Sequence, residues 1–177
     1  MAIDYADLLE KMHPGFFQSE RIRALPPEQV YHEMALELRE YSDREISVPE
    51  GVTFGEYHGD FETLRARVRQ VNPGWADYFG PDRRVYCGFM GGEAVSFCLV
   101  DDMGVYKGLR IAGPGCVGTL REHRRRGIGL KMVEHVTRLL RDEGYDLSYI
   151  HYTGVADWYA KLGYRTVLRW NCDGIMR

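Results

Sequence analysis

The sequence predicts an α/β protein with a mixed sheet flanked by helices. Three observations carry this. Strand-like and helix-like stretches alternate from Val52 onward. Gly91-Gly92 joins two apolar runs in a hairpin pattern. One strong amphipathic helix, Ile128 to about Glu143, follows an apolar strand. A length of 177 residues suggests one domain, and 45% hydrophobic with 28% charged residues gives one core and a solvated surface.

Residues 1–50 read apart from the rest, as an N-terminal helical arm. Asp4 to Met12 is a short helix, His13-Pro14-Gly15 breaks it, and Phe16-Phe17 follows as an apolar anchor. Pro26-Pro27 opens a longer predicted helix over about 27–41, with Val30, Met34, Leu38 and Tyr41 on one stripe. The arm is too thinly apolar to fold alone, so it is expected to pack on a main domain of residues 51–177. A homodimer contact and a roof over an acceptor pocket are the other uses for its stripe.

The main domain opens with a strand, Val52 to Tyr57. A helix from Phe61 to Val71 follows, ended by Asn72-Pro73-Gly74, then a short aromatic helical segment (WADYF). Arg84–Met90 and Ala94–Asp101 are the hairpin. Leu109 to Leu120 is the next strand, with a bulge or kink expected at Gly113-Pro114-Gly115. After the long helix come a strand, Tyr145 to Thr153, and a short helix from Ala156 that stops at Gly163. Two final strands, Arg165 to Arg169 and Cys172 to Met176, complete the order.

Composition removes several classes of function. A net charge of −3 argues against a general nucleic-acid binder. No apolar run approaches the ~18 residues of a membrane span. The N-terminus is charged and amphipathic, without the apolar core of a secretion signal. A cytoplasmic protein with no nucleic-acid or membrane partner is expected. Cys87, Cys98, Cys116 and Cys172 form no C-x-x-C pair and pair with no His at zinc spacing, so no metal is expected. They read as free thiols, and Cys116 has no visible activating partner that would make it a nucleophile.

The chemistry centres on Arg124-Arg125-Arg126-Gly127-Ile128-Gly129, where an apolar strand turns into the amphipathic helix. The first N–H groups of a helix lack intrahelical partners and sit at the positive end of its dipole, which suits an anion such as a pyrophosphate. Glycines let backbone approach the oxyanions closely. No Lys-Ser/Thr follows Gly129, so this is not a Walker loop, and Arg at 124 rules out the G-x-G-x-x-G dinucleotide fingerprint.

The pattern Arg-x-x-Gly-x-Gly resembles the acyl-coenzyme A loop of the GNAT superfamily of N-acetyltransferases, Gln/Arg-x-x-Gly-x-Gly/Ala. Downstream, Trp158-Tyr159-Ala160-Lys161-Leu162-Gly163-Tyr164 is similar to the second GNAT signature, aromatic-Tyr-x-Lys-x-Gly-aromatic. Specific motifs cover roughly Cys116 to Gly163, and element order extends the resemblance back to about Val52. It implies a mostly antiparallel sheet whose strands before and after the long helix splay apart to form the acyl-CoA site, with acetyl-CoA as cosubstrate and no metal.

Carried over by motif, Val117, Gly118 and Thr119 form the strand edge that pairs with the pantetheine arm. Arg124, Arg125, Arg126, Gly127, Ile128, Gly129 and Leu130 form the pyrophosphate loop. Three consecutive arginines on a turn cannot all face inward. Tyr159 takes the family's role of proton donor to the thiolate, and a phenol with a pKa of ~10 suits it at neutral pH. Many relatives carry a basic Glu on the strand before the loop, and none lies between Leu109 and Leu120. His151 is the best titratable candidate for the base, with Glu56, Asp101 and Asp102 able to act through water. The family often has Asn and Ala where this chain has Tyr152 and Val155.

The activity expected is transfer of acetyl from acetyl-CoA to a primary amine of a small molecule, by direct attack in a ternary complex. Peptide N-terminal or lysine acetylation is one alternative, and a non-catalytic acyl-CoA-binding regulatory module is another.

Overall fold

Eight strands make one sheet in a computed structural model that describes residues 3–176. In chain order they are β1 (Tyr31–Glu37), β2 (Val52–Glu56), β3 (Val85–Met90), β4 (Glu93–Tyr106), β5 (Leu109–Thr119), β6 (Leu147–Thr153), β7 (Arg165–Asn171) and β8 (Gly174–Ile175). The helices are α1 (Tyr5–Met12), α2 (Glu20–Arg23), α3 (Phe61–Val71), α4 (Ile128–Asp142) and α5 (Ala156–Ala160). The spatial order is β2-β3-β4-β5-β6-β1-β7-β8, with only the β5–β6 pair parallel.

Successive strand residues face opposite sides of the sheet, so each side gathers its own core. On one side α4 lays Met132, Val133, Val136 and Leu140 over Met34, Cys98, Ala112 and Ile150. On the other, Leu64 and Val68 of α3 meet Phe79, Cys87, Phe97 and Leu99. Beside them Leu8 of α1 meets Tyr106, Ile111, Leu147 and Tyr149. Full burial of such a side chain stabilises by roughly 1.5–3 kcal/mol, enough to hold a two-turn helix that Asp4 caps through the N–H groups of Ala6 and Asp7. No helix among the described residues is long and apolar enough to cross a membrane.

The structure corrects the helix expected over 27–41. Residues 31–37 are instead strand β1, inserted between β6 and β7 and antiparallel to both. A spacing of four residues fits the helical period and is also a multiple of the strand period of two, so the Val30/Met34/Leu38 stripe could not tell them apart. Good helix formers were overruled by an open slot in the sheet. The hairpin strand also runs past Asp101 to Tyr106, where Lys107 and Gly108, both at positive φ, turn it into β5. The WADYF segment lies in a 3₁₀ turn, and α5 ends at Ala160.

Candidate active site

The site begins where the parallel pair ends. β5 and β6 pair at Ile111–Leu147 and Ala112–Ser148 and no further. At Gly113 a Cβ would stand 1.9 Å from the Tyr149 carbonyl oxygen, so only glycine permits this approach at the fork. Pro114 carries no N–H, and Cys116, at φ +49, forms the bulge at which β5 slips its register against β4. The expected irregularity at Gly113-Pro114-Gly115 is therefore the point of divergence.

The gap opens into a cleft of about 610 Å³. Val117, Gly118 and Thr119 form one wall. Arg124, Arg125, Gly127, Ile128, Gly129 and Leu130 form the mouth, and Trp158, Tyr159 and Lys161 face them. Arg126 alone of the loop residues singled out in the sequence is not in the lining, and it is exposed to solvent. Val71, His123, Val155, Trp158 and Lys161 join the lining without having been assigned to the cofactor from sequence. Trp158 and Lys161 lay within the recognised signature, whereas Val71 comes from the end of α3 and carries no sequence signal.

The loop is held by the protein's own contacts. Gly127 caps α4 at φ +78, and no side chain among the described residues caps the first-turn N–H groups of the helix. A Cβ on Gly127 would lie 2.2 Å from the Ser47 carbonyl oxygen, and one on Gly129 would lie 2.7 Å from Thr119 Oγ1. Arg124 Nε donates to the Thr119 carbonyl at 2.9 Å, and Ser96 Oγ donates to the Gly118 carbonyl at 2.9 Å. His123 Nδ1 is buried in this wall with no partner among the described residues. Uncapped helical N–H groups, exposed guanidinium groups and an orphaned ring nitrogen suit a phosphate-bearing ligand.

The two tyrosines of the second signature differ in use. Tyr164 is a satisfied core residue, its hydroxyl 2.7 Å from Ser148 Oγ and 3.0 Å from Thr137 Oγ1. Tyr159 is 6% exposed and lines the cleft, and its hydroxyl has no partner among the described residues. Burial pushes its pKa well above the ordinary phenol range, reinforced by Tyr164, Cys98 and Cys116. Cys116 itself is pushed up to about 11 by burial, which argues against a nucleophilic thiolate.

His151 lies on the sheet face opposite α4, two residues beyond Tyr149, and does not line the cleft. Extending the β5–β6 register sets it level with Gly115 across the gap. Its Nδ1 is 2.9 Å from Oε2 of the fully buried Glu33. The other carboxylates considered as bases are engaged: Glu56 with Arg84, Asp101 with Arg83, and Asp102 with the Tyr145 hydroxyl. Tyr152 takes the left-handed backbone, φ +58, a conformation that Asn adopts more readily.

Comparison with known proteins agrees with the geometry. Residues 81–166 match the acetyltransferase (GNAT) domain family. Over that stretch the chain is a GNAT acetyltransferase domain. The family uses acetyl-CoA. Among solved structures, a GCN5-related glucosamine N-acetyltransferase region of a fungal multi-domain GH3 β-N-acetylglucosaminidase superposes with a TM-score of 0.64 at 22% identity, over 80% of this chain and 20% of that one. GCN5-related N-acetyltransferases from Kribbella flavida (TM-score 0.59, 22% identity, 89% of this chain and 62% of that one) and Sphaerobacter thermophilus (0.61, 18%, 93% and 53%) have the same architecture. At these identities the likeness establishes the fold, and this chain spans less than two thirds of each of those three. No curated protein sequence matches it.

Proposed function

We propose that this protein transfers an acetyl group from acetyl-CoA to the primary amine of a small molecule, by direct attack in a ternary complex. The observation that carries the reading is the fork at Gly113, which opens a cleft running from the uncapped N-terminus of α4 to the unpartnered hydroxyl of Tyr159. Pyrophosphate oxygens would meet the N–H groups after Gly127 and the Arg124 and Arg125 side chains. The pantetheine arm would follow Val117 to Thr119 as an added strand.

The thioester would then lie between the two faces of the sheet, with the amine arriving on the side away from α4. His151 takes a proton from the amine, the nitrogen bonds the thioester carbon, and the carbon–sulfur bond breaks. The Tyr159 hydroxyl donates a hydrogen bond to the departing thiolate. A compact acceptor is supported by Phe16, which packs against His151 at 4.9 Å and Trp170 at 5.0 Å and narrows the approach that an extended peptide would need.

Purified protein incubated with acetyl-CoA and a panel of polyamines, aminosugars, amino acids and short peptides tests the reading by release of free thiol. Turnover with a small amine is expected. Turnover confined to peptides would replace the small-molecule reading. Tight coenzyme binding with no turnover across the panel would favour a silent binding module.

A further inference from the structure

We propose that Glu33, on the N-terminal strand β1, is a positioning residue that fixes the tautomer of His151 and so readies its Nε2 to accept a proton. The inference rests on His151 being the base. Glu33 is 0% exposed in the middle of the sheet, and nothing in its own stretch of sequence marks it as functional. Its Oε1 accepts from the Trp170 indole N–H at 2.8 Å and from the Tyr152 backbone N–H at 3.2 Å, two groups that can only donate. Its Oε2 lies 2.9 Å from His151 Nδ1. A carboxylate only accepts, so the third partner must also donate, and the proton of the neutral ring sits on Nδ1.

That leaves the lone pair on Nε2, which has no partner among the described residues. The ring cannot turn away easily. His13 stacks on it at 3.9 Å and 16°, and Phe16 meets it edge-on at 4.9 Å and 69°. Burial and the neighbouring His151 hold the pKa of His13 down, so the stacked partner is neutral and does not compete for the proton. A buried carboxylate, an oriented imidazole and a free second nitrogen are the parts of an activated general base. β1, the strand that fills the slot between β6 and β7, thereby brings the orienting group as well as completing the sheet.

Nitrogen-15 NMR of the intact protein reads the tautomer directly, with His151→Asn used to assign the signal. The wild type is expected to show a protonated Nδ1 and an unprotonated Nε2. A wild-type spectrum with the proton on Nε2 overturns the proposal whether or not any variant folds. In Glu33→Gln the amide oxygen can keep Trp170 and Tyr152 while its NH₂ faces His151, so the tautomer should invert. With the amine identified by the panel, kcat should fall by about 10²–10⁴-fold, and CoA affinity should not move. A Glu33→Gln protein that inverts the tautomer yet keeps its rate, while His151→Asn is inactive, overturns the inference alone. Full activity of His151→Asn removes the base assignment and this inference with it.

Discussion

In the proposed reaction Tyr159 helps the sulfur leave, and its burial decides how. A phenol whose pKa lies well above its ordinary range cannot readily surrender a proton to a thiolate, whose own pKa is ordinarily ~8.5. It can donate a strong hydrogen bond to the charge that develops there. A hydrogen bond to a charged group is worth about 1.5–3 kcal/mol, so Tyr159→Phe should lower kcat by roughly 10–100-fold while KM for acetyl-CoA stays put. The same burial predicts no loss of activity from phenol ionisation near pH 10. Steady-state kinetics with a rate-limiting chemical step checks both. A Phe variant with the wild-type rate would take Tyr159 out of the reaction. Tyr152, next to His151 in sequence, stands where the resemblance expects Asn. Its left-handed backbone is held by the hydrogen bond to Glu33 and by a ring packed edge-on against Tyr31 at 4.7 Å.

At the scale of elements, the C-terminal end of α4 is fastened to the sheet by charge. Arg84, just before β3, grips Glu143 through both terminal guanidinium nitrogens, at 2.6 and 2.8 Å, and also reaches Glu56 of β2 at 2.6 Å. The Arg84 hydrogen bonds hold the Glu143 carboxyl below its ordinary value of 4.5. The folded pKa is the lower one, so the stabilisation is full above the unfolded value and is lost as pH falls through the folded one. Arg84→Met should therefore cost stability at pH 7 and flatten the fall in melting temperature below about pH 4.5, which thermal melts across that range would measure. An unchanged slope would mean that Glu143 does not contribute to acid unfolding.

The elements on either side of the loop were legible because strand, glycine turn and amphipathic helix each leave a local pattern, and the fork was visible as Gly113-Pro114-Gly115. The Glu33–His151 pair was not legible, because 118 residues separate partners that only the sheet order brings together. β1 hid for a related reason. Its neighbours β6 and β7 come more than a hundred residues later, and local propensity cannot report a slot that distant strands create.

For the whole molecule, β1 and the segment that follows it are bound into the sheet and α4. β1 pairs along both edges, with Ala35 opposite Tyr149 on β6 and opposite Arg165 on β7. The segment after it runs back along α4, from Asp43 on Arg141 at 2.7 Å to the Ser47 carbonyl beside Gly127. Deleting residues 1–50 should expose the inner edges of β6 and β7 and give an aggregated or unfolded product, as read by circular dichroism and size-exclusion chromatography. A soluble truncation with the melting temperature of the full chain would show the arm to be dispensable.

The central claim is that the cleft between the splayed strands, with the loop at its mouth, is the coenzyme site. Gly127 is a poor probe of that, because any side chain there strikes the Ser47 carbonyl and disturbs the fold. Two adjacent arginines are better, since Arg125 lines the cleft and Arg126 does not, and both are exposed. Calorimetric titration of CoA into Arg125→Glu and Arg126→Glu compares them at matched salt. Loss of a charge-assisted contact at Arg125 should weaken binding by at least about tenfold, with Arg126→Glu staying much closer to the wild type and both variants melting normally. Undiminished CoA affinity in a folded Arg125→Glu protein, or an equal loss at both positions, would contradict the placement of the coenzyme.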